Sequence, residues 1–78
     1  NILPEFFQAI DDGHKTFEVR YDDRNYETGD VLCLNEWNHE EQAYTGRSIK
    51  CRVTYILSAC SGIGLQSGYV CMSFEVQP

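Results

Sequence analysis

The 78-residue chain has few basic residues and no long apolar run. Six Lys and Arg residues stand against twelve Asp and Glu residues, giving a formal net charge of −6. This balance argues against nonspecific clamping of a nucleic-acid backbone, because proteins that do so carry a basic footprint. No apolar run approaches the ~20 residues of a membrane-spanning helix, so we expect no membrane association. Hydrophobic residues make up 42% of the chain, enough for a packed core, and we expect one domain spanning residues 1–78.

Closely spaced cysteines are also absent. The four cysteines, Cys33, Cys51, Cys60 and Cys71, lie at least nine positions apart, so no C-x-x-C pair and no zinc-type His spacing occurs. Three of them lie in apolar, strand-like runs, where a thiol packs as a small hydrophobic group. We expect reduced, mostly buried cysteines, with no metal and no cofactor. Free thiols are typical of a reducing compartment, which predicts a cytoplasmic protein.

The charge that is present is unevenly distributed along the chain. Residues 1–41 hold eleven acidic and three basic residues, a balance of −8. Residues 42–78 hold one acidic residue, Glu75, and three basic residues, a balance of +2. The protein could therefore present faces of opposite sign, and a focused site for one or a few phosphates is compatible with its net charge.

The first segment of the chain predicts a short helix that ends near Gly13. Pro4 suits the first helical position, and Gly13 can adopt the left-handed conformation that closes a helix. Phe6, Phe7 and Ile10 recur at the spacing of one helical face, so we expect all three to pack on the core. The chain starts without an initiator Met, and we expect a few residues, including any first strand, to precede it.

The segment after the helix alternates as a half-buried strand does. Phe17 and Val19 are expected to face the core. The alternating side chains of Thr16, Glu18 and Arg20 are expected to face solvent.

Three later segments also predict strands. They are residues 31–34, 49–55 and 69–76. Odd-numbered positions from 49 to 55 and even-numbered positions from 70 to 76 are expected to point inward. Residues 35–46 are predicted to form an exposed loop or hairpin arm, and residues 58–68 a loop rich in Gly and Ser. One helix followed by at least four strands predicts an α+β fold with a curled sheet or small barrel.

The densest polar cluster lies on the first predicted strand. Lys15, Glu18 and Arg20 could together cradle a phosphate or read the edge of a base. The alternative is a solvated strand face held by ion pairs of Glu18 with its basic neighbours, each worth well under ~1 kcal/mol. The spacing alone leaves both interpretations open.

This cluster forms part of a recognisable block. Gly13-x-Lys15-Thr16-x-Glu18-x-Arg20, followed by Gly29-Asp30-Val31-Leu32, resembles the ASCH domain, the activating signal cointegrator homology branch of the PUA-like superfamily. The whole chain is similar to a short bacterial and phage family within that branch. The blocks that carry this similarity are Leu3-Pro4-Glu5-x-Phe7, Asp23-Arg24-x-Tyr26, Tyr44-Thr45-Gly46-Arg47, Val53-Thr54-Tyr55-Ile56-Leu57 and Gly68-Tyr69-Val70.

The resemblance implies a PUA-like small β pseudo-barrel with one N-terminal helix, and a cleft between helix and strands that binds RNA. Carried over by position, Lys15, Glu18 and Arg20 would line that cleft. Arg24 and Arg47 are the next candidates, because they match the family's own blocks.

Aromatic residues could supply stacking surfaces for unpaired bases in such a cleft. The candidates are Trp37 and Tyr44, which lie in the polar segment. Ordinary core packing is the expected role of Tyr26. We therefore expect RNA or a nucleotide fragment as the partner.

Two other functions stay open. Some bacterial ASCH proteins are amidohydrolases acting on acetylated cytidine; Lys15 matches their lysine, but Glu18 stands where they have a threonine, with Thr16 nearby. Their catalytic acid has no counterpart in the brief segment of residues 58–68. A protein-interaction module is the other alternative, and in it the acidic residues Glu27, Glu36, Glu40 and Glu41 would matter most.

Overall fold

The computed structural model describes residues 1–59 and 63–78. Its elements are the helix α1 (Pro4–Asp11) and the strands β1 (Phe17–Tyr21), β2 (Val31–Asn38), β3 (Ala43–Ser58) and β4 (Tyr69–Val76). The strands form one antiparallel sheet in the order β1-β4-β3-β2, so β1 and β2 are its two edges. The sheet curls into a half-barrel, which confirms the predicted α+β small pseudo-barrel with one N-terminal helix. No helix in the described part of the chain is long and apolar enough to cross a membrane.

The helix packs inside the curl of the sheet. Pro4 begins it, and Gly13 follows its end with φ of +79°, as the sequence predicts. Phe7 and Ile10 are buried in the core, with 2% and 1% of their surfaces exposed. Phe6, expected on the same face, is 45% exposed. The reason is geometric: adjacent helical residues point ~100° apart, and the buried stripe here is too narrow to include Phe6.

Strand β3 supplies the middle of the core and changes its facing part-way along. Ile49, Cys51 and Val53 point inward, as predicted. The prediction is wrong for Tyr55, which is 67% exposed. The register between β3 and β4 shifts between Val53 and Tyr55, and such a bulge reverses the face on which the following side chains lie.

Strand β1 faces the opposite way from the prediction. Glu18 is buried, with 7% of its surface exposed, whereas Phe17 and Val19 are about half exposed. The register pairs Glu18 with Met72, which is fully buried, so Glu18 shares the concave face with the core. Cations on both sides of the carboxylate, described below, make this burial tolerable.

The segment of residues 35–46 is a hairpin arm rather than a loop. Strand β2 continues to Asn38, β3 begins at Ala43, and Trp37 pairs with Tyr44 across the two strands. The short connection includes Gln42 with φ of +52°, a turn conformation.

The described cysteines are free thiols with different surroundings. Cys51 is buried, Cys71 is half-buried and Cys33 is exposed. The expectation of mostly buried cysteines is therefore wrong for Cys33, because its side chain points outward from the edge strand β2. Cys60 lies outside the described residues.

Candidate nucleic-acid interface

An ion triad of Lys15, Glu18 and Arg20 occupies the concave face of β1. The Glu18 carboxylate accepts hydrogen bonds from Lys15 Nζ at 2.9 Å through Oε1 and from Arg20 Nε at 2.8 Å through Oε2. Lys15 Nζ also donates to the carbonyl oxygen of Phe17 at 2.6 Å. The side chains of Lys15, Glu18 and Arg20 are 16%, 9% and 27% exposed. The triad is thus better shielded from water than the solvated strand face that the spacing also allowed.

The bond through Nε fixes Arg20 and leaves the outer part of its guanidinium available. Within the described residues, its two terminal nitrogens donate to no protein acceptor. Arg20 lines a pocket of about 400 Å³ together with Arg24 and Tyr44. An arginine held in one orientation with two free donors can bind a phosphate or a base edge in a bidentate manner.

A second pocket continues on the other side of the triad. It has a volume of about 340 Å³, and its wall includes Phe6, Lys15, Phe17 and Glu18. Asn1 lines both pockets, and the Glu18–Arg20 ion pair spans them. We call the two pockets together the groove. The smaller pocket lies between β1 and the segment that precedes the helix, and the larger pocket lies between Arg20 and β2.

The outer edge of β2 presents backbone groups to the groove. Ile2 N donates to the carbonyl oxygen of Asn35 at 2.8 Å, so the backbone of Asn35 points away from β3. Because backbone direction alternates along a strand, Cys33 and Val31 also point their N–H and C=O groups outward. Both residues line the larger pocket. This strand edge can therefore exchange hydrogen bonds with a polar planar ligand.

Tyr44 supplies an aromatic wall at the larger pocket. It is 59% exposed, and its ring meets Trp37 edge to face, with centroids 4.9 Å apart at 77°. Trp37 is half-buried and does not line either pocket of the groove. Trp37 therefore orients Tyr44 rather than offering a second open face. Tyr26 packs against the buried cluster of Val53, Val70 and Met72, as expected, and reaches the pocket wall with its remaining surface.

Two arginines predicted for the site lie in different places. Arg24 is 75% exposed at the larger pocket, where its only ion pair among the described residues is a long contact of 3.9 Å to Asp23. Arg47 lies outside the groove. Its guanidinium stacks 4.6 Å from the centroid of the Phe7 ring and contacts Asp11 at 3.6 Å. The structure therefore brings Arg24, but not Arg47, to the triad's pocket.

Glu36 is a buried carboxylate whose role sequence reasoning missed. It is 5% exposed, accepts a hydrogen bond from Thr45 Oγ1 at 2.7 Å and pairs with Arg47 at 3.7 Å. It is consequently unavailable as a docking residue for an outside partner. Leu32 and Leu34 point inward on β2, and the same alternation continued by two residues predicts that Glu36 points inward as well. This pattern could have identified the buried carboxylate.

The fully buried thiol of Cys51 is influenced by the charges of the triad. Burial raises the pKa of the Cys51 thiol to about 11, and the negative charge of Glu18 adds to the rise. Charge-assisted hydrogen bonds are strengthened in such surroundings.

Hydrolytic chemistry finds less support in this geometry. Thr16 is exposed, and no hydrogen bond in the described part of the chain joins its side chain to Glu18. Within residues 1–59 and 63–78, no group of three or more His, Cys, Asp and Glu side chains is placed to hold a metal ion.

The profile of the family described as "Domain of unknown function (DUF3850)" matches residues 1–74. The chain belongs to the DUF3850 family. A similar protein from Escherichia phage P2, named "Uncharacterized 12.9 kDa protein in GpA 3'region", is 42% identical over 50 residues. The aligned part covers 64% of this chain and 44% of the phage protein, so the chain matches less than half of that relative's length.

In this DUF3850 domain, the groove therefore combines a fixed arginine, an exposed arginine, an aromatic wall and an open strand edge. This set of groups can bind one anionic group and one planar polar ring at the same time.

Proposed function

We propose that this DUF3850 domain binds single-stranded RNA, or a nucleotide fragment, in the groove. The observation that carries the proposal is the guanidinium of Arg20, which is held through Nε by a buried carboxylate, lines a concave pocket and donates through its terminal nitrogens to no acceptor among the described residues. Arg20 contacts phosphate, Arg24 adds a second positive charge, and an unpaired base stacks on Tyr44.

The size and charge of the groove favour a short, unpaired ligand. A volume of about 400 Å³ lies at the small end of ligand pockets and suits one nucleotide. The net charge of −6 repels a long polyanion outside that pocket. One or two phosphate contacts thus account for the binding, rather than a basic surface.

Glu18 takes the part of a positioning residue. Both of its oxygens already accept hydrogen bonds from the two cations beside it. In this proposal the base edge is read instead by the outward backbone groups of Cys33 and Val31, which a modified or unmodified base could meet with its own donors and acceptors.

We also propose that the family is a branch of the ASCH domains within the PUA-like superfamily. The half-barrel with its N-terminal helix supports this relationship, as does the assembly of Lys15, Glu18 and Arg20 into one cluster beside a cleft. That superfamily is associated with RNA binding, and the association is consistent with the ligand proposed here.

The test is a fluorescence titration of the full chain with short labelled single-stranded RNAs at low salt. Arg20→Gln should weaken binding by about 10- to 100-fold, the loss expected for a charge-assisted bidentate contact. Arg52→Gln is the matched control, because it removes the same charge from an exposed ion pair with Glu75. Equal affinities of the Arg20 variant and the wild type would overturn the assignment.

A second arm distinguishes binding from catalysis. The same protein is incubated with free nucleosides, including acetylated cytidine, and product is measured by liquid chromatography. The proposal expects binding without turnover. Product formation that Lys15→Ala abolishes would instead identify a small amidohydrolase.

A further inference from the structure

The smaller pocket of the groove differs in chemistry from the larger one. Phe6 and Phe17 both line it, and they are 45% and 47% exposed. Leu3 and Val19 add apolar surface to the same wall. The Lys15 ammonium lies 6.0 Å from the centroid of the Phe6 ring and 5.0 Å from that of the Phe17 ring. The smaller pocket is therefore a largely apolar, aromatic cavity with one cation in its wall.

Lys15 has one donor that the fold does not use. An ammonium group carries three N–H groups. One donates to Glu18 Oε1 at 2.9 Å, and another donates to the carbonyl oxygen of Phe17 at 2.6 Å. The third has no acceptor among the described residues, although the Lys15 side chain is only 16% exposed. A donor that is largely shielded from water gains most from an acceptor that a ligand supplies.

The backbone of Val19 adds a donor and an acceptor to the same pocket. The carbonyl oxygen of Thr16 accepts a hydrogen bond from Phe74 N on β4, so the backbone of Thr16 points toward β4. Backbone direction alternates along a strand, and Val19, three positions later, therefore points its N–H and C=O away from β4. Because β1 is an edge strand, neither group has a partner among the described residues. Val19 lines the smaller pocket, so these groups can meet the edge of a planar polar ring.

We propose that the smaller pocket binds a second base, so that the groove takes a dinucleotide with its internucleotide phosphate at Arg20. This inference rests on the proposed function, which places a phosphate at Arg20 and one base on Tyr44. The Glu18–Arg20 ion pair spans the two pockets, and a phosphate that joins two nucleosides would lie at the same junction. The second base lies against the rings of Phe6 and Phe17, since aromatic side chains offer a stacking surface to any base.

The base in the smaller pocket is one that carries a carbonyl oxygen, such as uracil. That oxygen accepts the remaining N–H of Lys15, and other polar atoms of the ring edge meet the backbone of Val19. A pocket of about 340 Å³ lies at the small end of ligand pockets, which suits one base rather than a larger group. A paired base has its edge occupied by its partner, so the ligand is single-stranded.

Calorimetric titration of the full chain with the dinucleotide UpU and its two abasic forms, each lacking one base, tests this proposal. All three ligands carry the same phosphate charge. UpU should bind at least about 5-fold more tightly than either abasic form, the lower end of the gain from stacking one further base. Phe6→Ala should weaken UpU by a similar factor and leave unchanged the affinity for the abasic form whose base occupies the larger pocket. Tyr55→Ala is the matched control, because Tyr55 is 67% exposed and lines neither pocket.

The outcomes separate this inference from the proposed function. If UpU binds no more tightly than one of its abasic forms, the second base subsite is overturned, and the proposed function stands provided that Arg20→Gln weakens the binding. If none of the three ligands binds, both fail together. Equal losses from Phe6→Ala and Tyr55→Ala, or equal losses of all three ligands in Phe6→Ala, would also overturn the second base subsite.

A measurement on the unmodified chain guards against misfolding of the variant. The chain has two lysines: Lys15 lines the smaller pocket, and Lys50 is exposed and lines neither pocket of the groove. Acetylation of the two side-chain amines is followed by mass spectrometry with and without saturating UpU. The rate at Lys15 should fall several-fold when UpU binds, while the rate at Lys50 stays constant. A Lys15 rate that UpU leaves unchanged would contradict the second base subsite.

Discussion

Replacing Glu18 with Gln should destabilise the domain strongly, although the two side chains have nearly the same volume. The carboxylate makes two charge-assisted hydrogen bonds, each worth about 1.5–3 kcal/mol. A glutamine keeps one acceptor and turns its amide donors toward a cation. Lys15 and Arg20 are 16% and 27% exposed, so both can regain part of their hydration. We therefore expect a loss of about 2–3 kcal/mol in the free energy of unfolding.

Urea denaturation followed by circular dichroism measures this loss. For a domain of this length, about 2–3 kcal/mol also lowers the melting temperature by roughly 10–20 °C. Glu75→Gln is the matched control, because Glu75 pairs with Arg52 at 3.5 Å on the surface, where both are more than half exposed. That substitution should change stability by less than about 0.5 kcal/mol. Similar small effects from both variants would refute the view that the ion pairs of Glu18 stabilise the fold more than a surface ion pair does.

Three further predictions concern the backbone at Gly68, the buried thiol of Cys51 and the contacts of Arg47. Gly68→Ala should lower the free energy of unfolding by about 2–3 kcal/mol in urea denaturation, because φ is +84° and the added Cβ would lie 2.6 Å from a ring atom of Tyr21. Gly46→Ala is the control and should cost less, because Gly46 has a similar φ of +93° but open space around it. Equal losses in the two variants would contradict the clash with Tyr21. Burial raises the pKa of Cys51 from 9.0 to about 11. The stability that this thiol contributes is therefore complete below pH 9 and is lost toward pH 11. Across that window the free energy of unfolding of the wild type should fall by up to about 2–3 kcal/mol more than that of Cys51→Ala. An equal loss of stability in the two proteins between pH 9 and pH 11 would contradict this prediction. Arg47→Gln should lower stability by about 1 kcal/mol and leave RNA affinity unchanged, and a fall in affinity would place Arg47 in the interface.

The helix and the inward positions in the first part of β3 were accessible from local patterns. Pro4 and Gly13 mark the two ends of α1 because their backbone requirements are intrinsic to the residues. The inward positions of β3 up to Val53 follow from strict alternation. These features depend on contacts within a few residues, which a single sequence displays directly.

The facing of β1 was not accessible in this way. Its alternation favours burying Phe17 and Val19, and the opposite arrangement depends on pairing with β4, about fifty residues later. It also depends on the ion triad, whose geometry makes a buried Glu18 tolerable. The outward turn of Tyr55 likewise arises from a bulge that involves two strands. The close spacing of the triad's members is visible in the sequence, but their burial was decided by long-range packing.

The strand order has a consequence for how the groove assembles. The hairpins β2–β3 and β3–β4 join neighbours in the chain, whereas β1 pairs, among the described strands, with β4 alone, and β4 follows the other three along the chain. Contacts between distant segments form late, since closing a long loop costs entropy before any contact offsets it. The N-terminal half that carries Lys15, Glu18 and Arg20 therefore leaves the ribosome first, and β1 stays unpaired until β4 is available. The wall of the groove formed by β1 is therefore in place only after β4 has been synthesised and has paired with β1.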